Sequence, residues 1–324
     1  MEILRKYSTL IGFGVIVVVF SSLAPNFLTI GNIVNIFVQI SMIAIIAFGA
    51  TTLLVTGVFD LSIGALVSVT GLVAAVIMQR DNYIMLSVFL LPLMVGFAAG
   101  VLNGVMVGYG DIPPFIATIG TMTIFEGTSY AITKGGGGTA VSFYEWTSED
   151  PNFLVQLVQG RDHIVPIPFV IMIAVFLIIH ILLTQTRLGR HFAAIGANSD
   201  AAFASGINVK KGKLIAYIIC GITAGISGLL LVGWLGSGQP EMGFTFMFDA
   251  IACIFIGTSV VKKGRVHVIG TFIGALVISV INNGSSLMGI QYGYQYFIKG
   301  AIILLAVITT SASVKSRLGA IRQY

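Results

Sequence analysis

Uncharged runs of membrane length, separated by short polar breaks, dominate this chain. No Asp, Glu, Lys or Arg occurs from residue 7 to 59 or from 61 to 79. A helix needs roughly 20 apolar residues to cross the hydrocarbon core of a bilayer, so these runs predict membrane-spanning helices. We predict ten spans, near residues 10–24, 36–57, 61–79, 84–108, 113–133, 166–184, 213–233, 246–261, 267–284 and 296–313.

Composition supports the same class. The chain is 56% hydrophobic and 9% charged, with a mean hydropathy of +1.01, which excludes a water-soluble globule of 324 residues. A β-barrel would show short alternating segments instead. The sequence therefore predicts an all-α integral membrane protein with one transmembrane domain over 1–324, its halves at 10–184 and 213–324 joined by an inner loop at 184–213.

The first apolar run has two interpretations. Arg5 and Lys6 precede it and small residues follow it, as in a signal peptide. Pro25 directly after Ala24 disfavours cleavage there, so we interpret the run as the first span.

Basic residues indicate the orientation of the spans. With the N-terminus inside, ten spans place thirteen of the seventeen Lys and Arg residues on the cytoplasmic side, and the outer loops collect acidic residues. Both termini are then cytoplasmic. The net charge of +5 is a feature of the inner surface and does not indicate nucleic-acid binding.

Matched dipeptides indicate an internal repeat. Phe59-Asp60 opens the third span and Phe248-Asp249 opens the eighth, while Asn103 and Asn283 each precede a glycine late in the fourth and ninth spans. These pairs lie five spans apart. An odd offset reverses the direction of the second copy, which predicts an inverted repeat of spans 2–5 and 7–10, each copy after one extra helix.

Glycines recur every four residues along the fourth span, at Gly96, Gly100, Gly104 and Gly108. In lipid, such stripes let helix backbones approach closely. We expect packing within the chain rather than a dimer seam.

Few ionisable residues lie inside the predicted spans. Asp60 and Asp249 lie near span starts, where a carboxylate can cap a helix, so we favour capping over a proton relay. Lys299 falls within the last span. Glu126 lies in mid-span, and the pattern assigns it no role.

The sequence contains no pattern typical of a catalytic, metal-binding or nucleotide-binding site. The four histidines have no metal-ligand spacing, and Cys220 and Cys253 lie inside apolar runs. No phosphate-binding loop of the form G-x-x-x-x-G-K-S/T occurs, so we expect no bound ATP, cofactor or metal in this chain. If ATP drives it, the hydrolysis belongs to another protein.

Two loops stand out by length. The outer loop, residues 134–166, is glycine-rich at its start and acidic, which is typical of a flexible external cap. The inner loop contains a predicted short helix over 198–205, which Gly206 ends. From the pattern alone, this helix is equally a membrane-surface element or a docking element for a cytoplasmic partner.

Several stretches carry a resemblance to a known family. "GVFDLSIGALVSVTG" (57–71), "PPFIATIGTMTIFEG" (113–127), "TRLGRHFAAIGANSDAAFASGINV" (186–209), "SGQPEMGFTFMFDAIACIFIGTS" (237–259) and "GTFIGALVISVINNGSSLMGI" (270–290) resemble ribose-type permease subunits of bacterial ABC importers, in order along nearly the whole chain.

This resemblance implies partners, a location and a docking element. The partners are a cytoplasmic ABC ATPase, a second permease subunit and an extracytoplasmic sugar-binding protein, and the location is the bacterial inner membrane. It also implies a small sugar substrate, alternating access and a coupling helix in the inner loop. The residues it assigns to ATPase contact are Gly189, Arg190, Gly196, Asn198, Ala201, Ala202, Ser205, Gly206 and Ile207.

Pathway and structural candidates are mostly uncharged. Asp60 and Ser62, in the Asp-Leu-Ser motif, and Asp249 are expected to hold the geometry of the repeat core. Six further side chains could contact a passing sugar or pack the bundle: Asn103, Phe115, Thr118, Thr121, Asn282 and Asn283.

One loop departs from the family pattern. Gly257 and Gly264 are single, and Lys262 and Lys263 replace expected glycines, which leaves a homodimer and an unequal permease pair both open. The identity of the sugar also stays open. The rival functions are an ion-coupled secondary carrier and, less favoured, a membrane enzyme.

Overall fold

The computed structural model describes residues 2–79, 84–133, 141–142, 153–159, 165–259, 265–291 and 293–301. Its first half contains α1 (Glu2–Leu23), α2 (Ile30–Val55), α3 (Ile63–Met78), α4 (Met85–Gly108), α5 (Pro114–Ile132), β1 (Val141–Ser142), α6 (Phe153–Gln159) and α7 (Ile167–Gln185). The remainder contains α8 (Arg187–Ala197), α9 (Ser199–Ala204), α10 (Val209–Leu235), β2 (Ser237–Gly238), α11 (Phe244–Thr258), α12 (Val268–Leu287) and a helical segment over 293–301.

The predicted all-α membrane fold is confirmed, and a described helix lies at each of the ten predicted spans. Among the described residues, five helices are long and apolar enough to cross a membrane: α2, α4, α7, α10 and α12. The second span starts earlier than predicted, because Thr29 caps the helix by accepting a hydrogen bond from the backbone N–H of Asn32. Residues 302–313 of the tenth predicted span lie outside the described residues.

Helices α2 and α10 form the centre of the bundle, and long stretches of both are buried. The C-terminal end of α2 lies beside α8, where a Cβ on Gly196 would be 2.1 Å from the carbonyl oxygen of Val55. The first turn of α10 lies there too, because Gly212 faces Ile195 of α8. The two central helices therefore run in opposite directions through the bundle. We call this end of the molecule the α8–α9 end.

The two halves pack in equivalent ways. Helix α3 packs on α4 and α10, while α11 packs on α12 and α2. Helix α4 lies along α10, as α12 lies along α2. Together with the opposed directions of α2 and α10, these pairings are those of an inverted repeat.

The glycine stripe of α4 packs along α10, within the chain. A Cβ on Gly96 would lie 2.2 Å from the carbonyl oxygen of Gly221. A Cβ on Gly100 would lie 2.6 Å from the carbonyl oxygen of Tyr217, and one on Gly104 would lie 2.7 Å from the Leu214 side chain. The expected role of the stripe, close packing within the chain, is confirmed.

At the other end of the bundle, β1 and β2 form a two-stranded antiparallel pair with Val141 opposite Gly238. The outer loop thus contributes a strand and α6, which packs on α10. Residues 134–140, 143–152 and 160–164 of that loop, and residues 260–264 of the loop with the altered glycines, lie outside the described residues.

Candidate functional site

The α8–α9 segment is a well-anchored helical element at one end of the bundle. Thr186 caps α8, and Asn198 caps α9 by accepting hydrogen bonds at 3.0 and 2.9 Å from the backbone N–H groups of Asp200 and Ala201. Phe192 and Ile195 of α8 are buried in the body of the protein. The predicted short helix over 198–205 is confirmed as α9.

Two residues assigned to ATPase contact, Gly189 and Ala202, are buried within the chain, and their assignment to that contact stays a prediction. Gly189 lies against the end of α7, where a Cβ would be 2.3 Å from the carbonyl oxygen of Leu182. Ala202 is buried on the inner side of α9. Gly196 is exposed, but its Cβ direction points at Val55. Close packing against the bundle explains why these positions are small.

The remaining assigned residues form the accessible surface of the segment. Ile207 is half-buried, and the exposed members are Arg190, Asn198, Ala201, Ser205 and Gly206. The sequence analysis missed Phe203, whose side chain is 74% exposed on α9. The signal was available, because Phe203 is the one aromatic residue in an otherwise small and polar helix.

A polar cluster lies at the same end, at the start of α3. Oδ1 of Asp60 accepts hydrogen bonds from the backbone N–H and the hydroxyl of Ser62 at 2.7 and 2.6 Å. The amide of Asn103 donates to Oδ2 of Asp60 at 3.2 Å and to Ser62 Oγ at 2.9 Å. Asp60 lies two residues before Ser62, the N-cap residue of α3, and accepts the N–H of that residue rather than an N–H of the helix. It therefore holds the turn that leads into α3 and ties α3 to α4, while its expected role as the helix cap is not what the structure has.

The other first-half candidates lie on α5. Phe115 is exposed and packs edge-on against Phe59. The hydroxyls of Thr118 and Thr121 are buried and donate to carbonyl oxygens of their own helix. Hydrogen bonds thus join Asp60, Ser62 and Asn103, whereas the hydroxyls of the two threonines bond within α5.

The second-half carboxylate has a different environment. Helix α11 begins at Phe244, so Asp249 lies in its second turn, beyond the reach of a cap, and the capping prediction for Asp249 is wrong. Its Oδ1 lies 2.8 Å from Lys299 Nζ, and the amide of Asn282 donates to its Oδ2 at 2.9 Å. The exposed fractions of the two ionic side chains are 8% for Lys299 and 3% for Asp249.

Asn282 and Asn283 point in different directions. Asn283 exchanges two hydrogen bonds with the amide of Asn32, each 2.9 Å long, and both side chains are buried. Asn283 thus joins α12 to the start of α2. In the first half, Asn103 of the matched Asn-Gly pair donates to Asp60. In the second half, the donor to Asp249 is Asn282, and not Asn283 of the matched pair.

A cavity of about 440 Å³ lies beside the Asp249–Lys299 pair, in the range of small-ligand sites. It is at the end of the bundle opposite α8 and α9, where α10 finishes, and we call this the cavity end. Helices α2, α10, α11 and α12 line it together with the 293–301 segment. The polar lining includes Gln39, Gln239, Glu241, Asn282, Gln295 and Lys299.

Sequence analysis identified only Asp249 and Asn282 among the candidate site residues of this lining. Gln39 carried a usable signal, because an amide within an apolar span faces protein or a cavity. Trp234, which also lines the cavity, carried no such signal.

Glu126 lies on α5 with its side chain half-buried. No hydrogen bond or ion pair links it to another described residue. The described residues also hold no group of three or more potential metal ligands, and the expectation that the chain binds no metal or cofactor stays a prediction.

Comparison with known proteins gives a consistent result. Residues 32–307 match the family described as the permease component of the branched-chain amino acid transport system. The chain is 38% identical over 305 residues to the ribose import permease protein RbsC of Escherichia coli (strain K12), covering 94% of this chain and 93% of that protein. No solved structure matches it significantly.

Two further relatives are named as permeases for other sugars. The D-allose transport system permease protein AlsC of the same strain is 36% identical over 303 residues, with 93% of this chain and 90% of the relative covered. The galactose/methyl galactoside import permease protein MglC is 34% identical over 299 residues, with 89% and 88% covered.

Proposed function

This chain belongs to the family of branched-chain amino acid transport permease components, and on that premise we propose that it is the membrane subunit of an ATP-driven sugar importer. It moves a monosaccharide or similar small polar solute, delivered by an extracytoplasmic binding protein, into the cytoplasm by alternating access. The names of its relatives, ribose, D-allose and galactose permeases, support a sugar of this size. The inverted repeat supports alternating access, since such repeats exchange equivalent conformations about a central axis.

The observation that carries the proposal is the α8–α9 segment. It is anchored on the bundle by buried Phe192 and Ile195, and it carries Phe203 on an exposed helix. An exposed aromatic on a rigid element is typical of the anchor of a protein interface. Helices α8 and α9 pack on the ends of α2, α7 and α10. A displacement of this surface by a bound protein would therefore be transmitted to the central helices α2 and α10. We assign this surface to contact with the cytoplasmic ATPase.

A second permease subunit is part of the same proposal. A charged carboxylate in the middle of a lipid-facing helix costs about 3 kcal/mol, so the half-buried Glu126 favours a protein neighbour for this face of α5. Gly120 and Gly127 on α5 have open space where a Cβ would point, which allows a close approach by a partner helix. The partner is a second copy or a related permease.

The test is Phe203→Ala with Leu86→Ala as the matched control. Leu86 is 68% exposed at the start of α4, far from α8 and α9. We expect Phe203→Ala to reduce co-purification of the ATPase and sugar-stimulated ATP hydrolysis in proteoliposomes at least tenfold, since an interface anchor contributes about 2 kcal/mol. Leu86→Ala should leave both unchanged.

The energy source of uptake distinguishes an ATP-driven importer from an ion-coupled carrier. Uptake that persists without any ATPase and follows an ion gradient would replace it with the carrier. ATP-driven uptake that is unchanged in Phe203→Ala would remove the assigned surface.

A further inference from the structure

Resting on the proposed transport function, we propose that the cavity of a single permease chain is a binding site for a neutral, polyhydroxylated solute of monosaccharide size. Asn282, the Asp249–Lys299 pair and Trp234 form its recognition elements. The described lining of this cavity comes from one chain.

The charge of the site favours a neutral ligand. Lys299 Nζ lies 2.8 and 3.1 Å from the two oxygens of Asp249, so the charges compensate each other. The other ionisable side chain of the described lining is Glu241, which accepts a hydrogen bond from the hydroxyl of Tyr130 at 2.7 Å. A ligand anion would meet the Glu241 carboxylate and would compete with Asp249 for the lysine. A neutral solute avoids both costs.

Hydrogen-bonding capacity favours hydroxyl groups. Oδ1 of Asn282 is a buried acceptor without a donor among the described residues, while the amide nitrogen of the same side chain is held by Asp249. The Lys299 ammonium has three N–H donors, of which the carboxylate engages two at most in this geometry. An acceptor and a donor beside one another match neighbouring hydroxyls of a sugar, each of which both donates and accepts.

The apolar part of the lining fits the other surface of a sugar. Trp234 is half-buried at the cavity wall, and Met42 and Ile43 of α2 lie in the same lining. An indole ring offers a large flat surface for the C–H face of a pyranose or furanose. The amides of Gln39 and Gln295 supply further donors and acceptors around the rim. The lining is therefore amphipathic, as a sugar is.

The experiment measures protection of a cysteine placed in the cavity. Ser286 lines the cavity, and Ser286→Cys changes a single atom. The native Cys220 and Cys253 are buried and give little background. In cells that contain the whole importer but are depleted of ATP, a membrane-impermeant thiol reagent is applied with or without D-ribose, D-allose or D-galactose at high concentration. Ser87→Cys, near the start of α4 at the same end but outside the cavity lining, is the matched control.

We expect at least one of these neutral sugars to slow labelling of Ser286→Cys about threefold or more. Sodium gluconate at equal concentration should give no protection, and labelling of Ser87→Cys should not change with any solute. Adding Asn282→Ala should weaken the protecting affinity about tenfold, whereas adding Leu86→Ala, which is exposed at the same end but outside the lining, should preserve it.

Three results would overturn the inference: no reaction at Ser286→Cys, equal protection by gluconate, or protection that survives Asn282→Ala. If ATP-driven sugar uptake is intact in those experiments, the proposed function stands and only the site is wrong. Loss of ATP dependence would instead remove the proposed function, and because protection is measured without ATP, the two failures are distinguishable.

Discussion

The Asp249–Lys299 ion pair should behave as one coupled unit, and neutralising either partner alone should destabilise the protein more than neutralising both. The variants are Asp249→Asn, Lys299→Met and the double variant. Each single change leaves the remaining charged side chain buried without its counter-ion, while the double change removes both charges. The amide of Asn282 keeps an acceptor at position 249 in every variant, because asparagine retains one carbonyl oxygen.

The magnitude follows from the distance and the burial. At 2.8 Å, with an effective dielectric constant of about 20, the attraction is about 6 kcal/mol. Desolvation of both buried charges offsets much of it, so the pair as a whole adds little net stability. Removing one partner leaves the other charge uncompensated and should cost about 3–5 kcal/mol of unfolding free energy. The double variant should lose less than either single variant.

The assay is a reversible unfolding titration of the four proteins in detergent micelles, read as a double-mutant cycle. We expect a coupling energy of at least about 2 kcal/mol. Losses that simply add, or single variants as stable as the parent protein, would show that the two side chains do not support each other and that the geometry of the cavity wall does not depend on the pair.

Two further predictions concern helix contacts. Gly221→Leu should force α4 and α10 apart, because a Cβ there would lie 2.1 Å from the carbonyl oxygen of Gly96; we expect a loss of about 3 kcal/mol or more and poor membrane yield, whereas Gly14→Leu, with open space at its Cβ, should insert normally. Asn283→Ala should cost about 1–3 kcal/mol, because the buried carbonyl oxygen of Asn32 loses its donor while the amide nitrogen keeps its bond to the Phe27 carbonyl; in thermal unfolding, adding Asn32→Ala should then cost less than Asn32→Ala costs in the parent protein, and equal costs would contradict the reciprocal amide pair.

The spans could be predicted from the sequence because the bilayer imposes one simple requirement on the chain. An uncharged run of about 20 residues has few alternatives to a spanning helix, as α2 and α10 illustrate. The glycine stripe of α4 was equally informative, since spacing of four residues places Gly96 and Gly100 on one face. Both patterns, the uncharged run and the glycine spacing, lie within one short segment, so they can be recognised without knowing which helices pack against it.

The site was harder to predict because its contacts are distant in sequence. Lys299 lies 50 residues after Asp249, on a different helix, and no local pattern connects them. Adjacent Asn282 and Asn283 have the same side chain, yet helical geometry turns one toward the cavity and the other toward Asn32. The burial of Gly189 and Ala202 was hard to predict for a related reason, because a small residue indicates close packing without saying whether the neighbour is another protein or the chain itself.

The two related carboxylates show how position within a helix decides what partner an acid requires. Asp60 precedes α3, where backbone N–H groups have no partner in the helix, so uncharged donors from Ser62 and Asn103 are enough to hold it. Asp249 lies inside α11, where the N–H groups are engaged in the helix, and a buried carboxylate there needs a donor from another element. Lys299 meets that need at the cavity end alone. The inverted repeat therefore preserves an acid with a carboxamide donor in each half, while the added cation makes the two ends of the bundle chemically different.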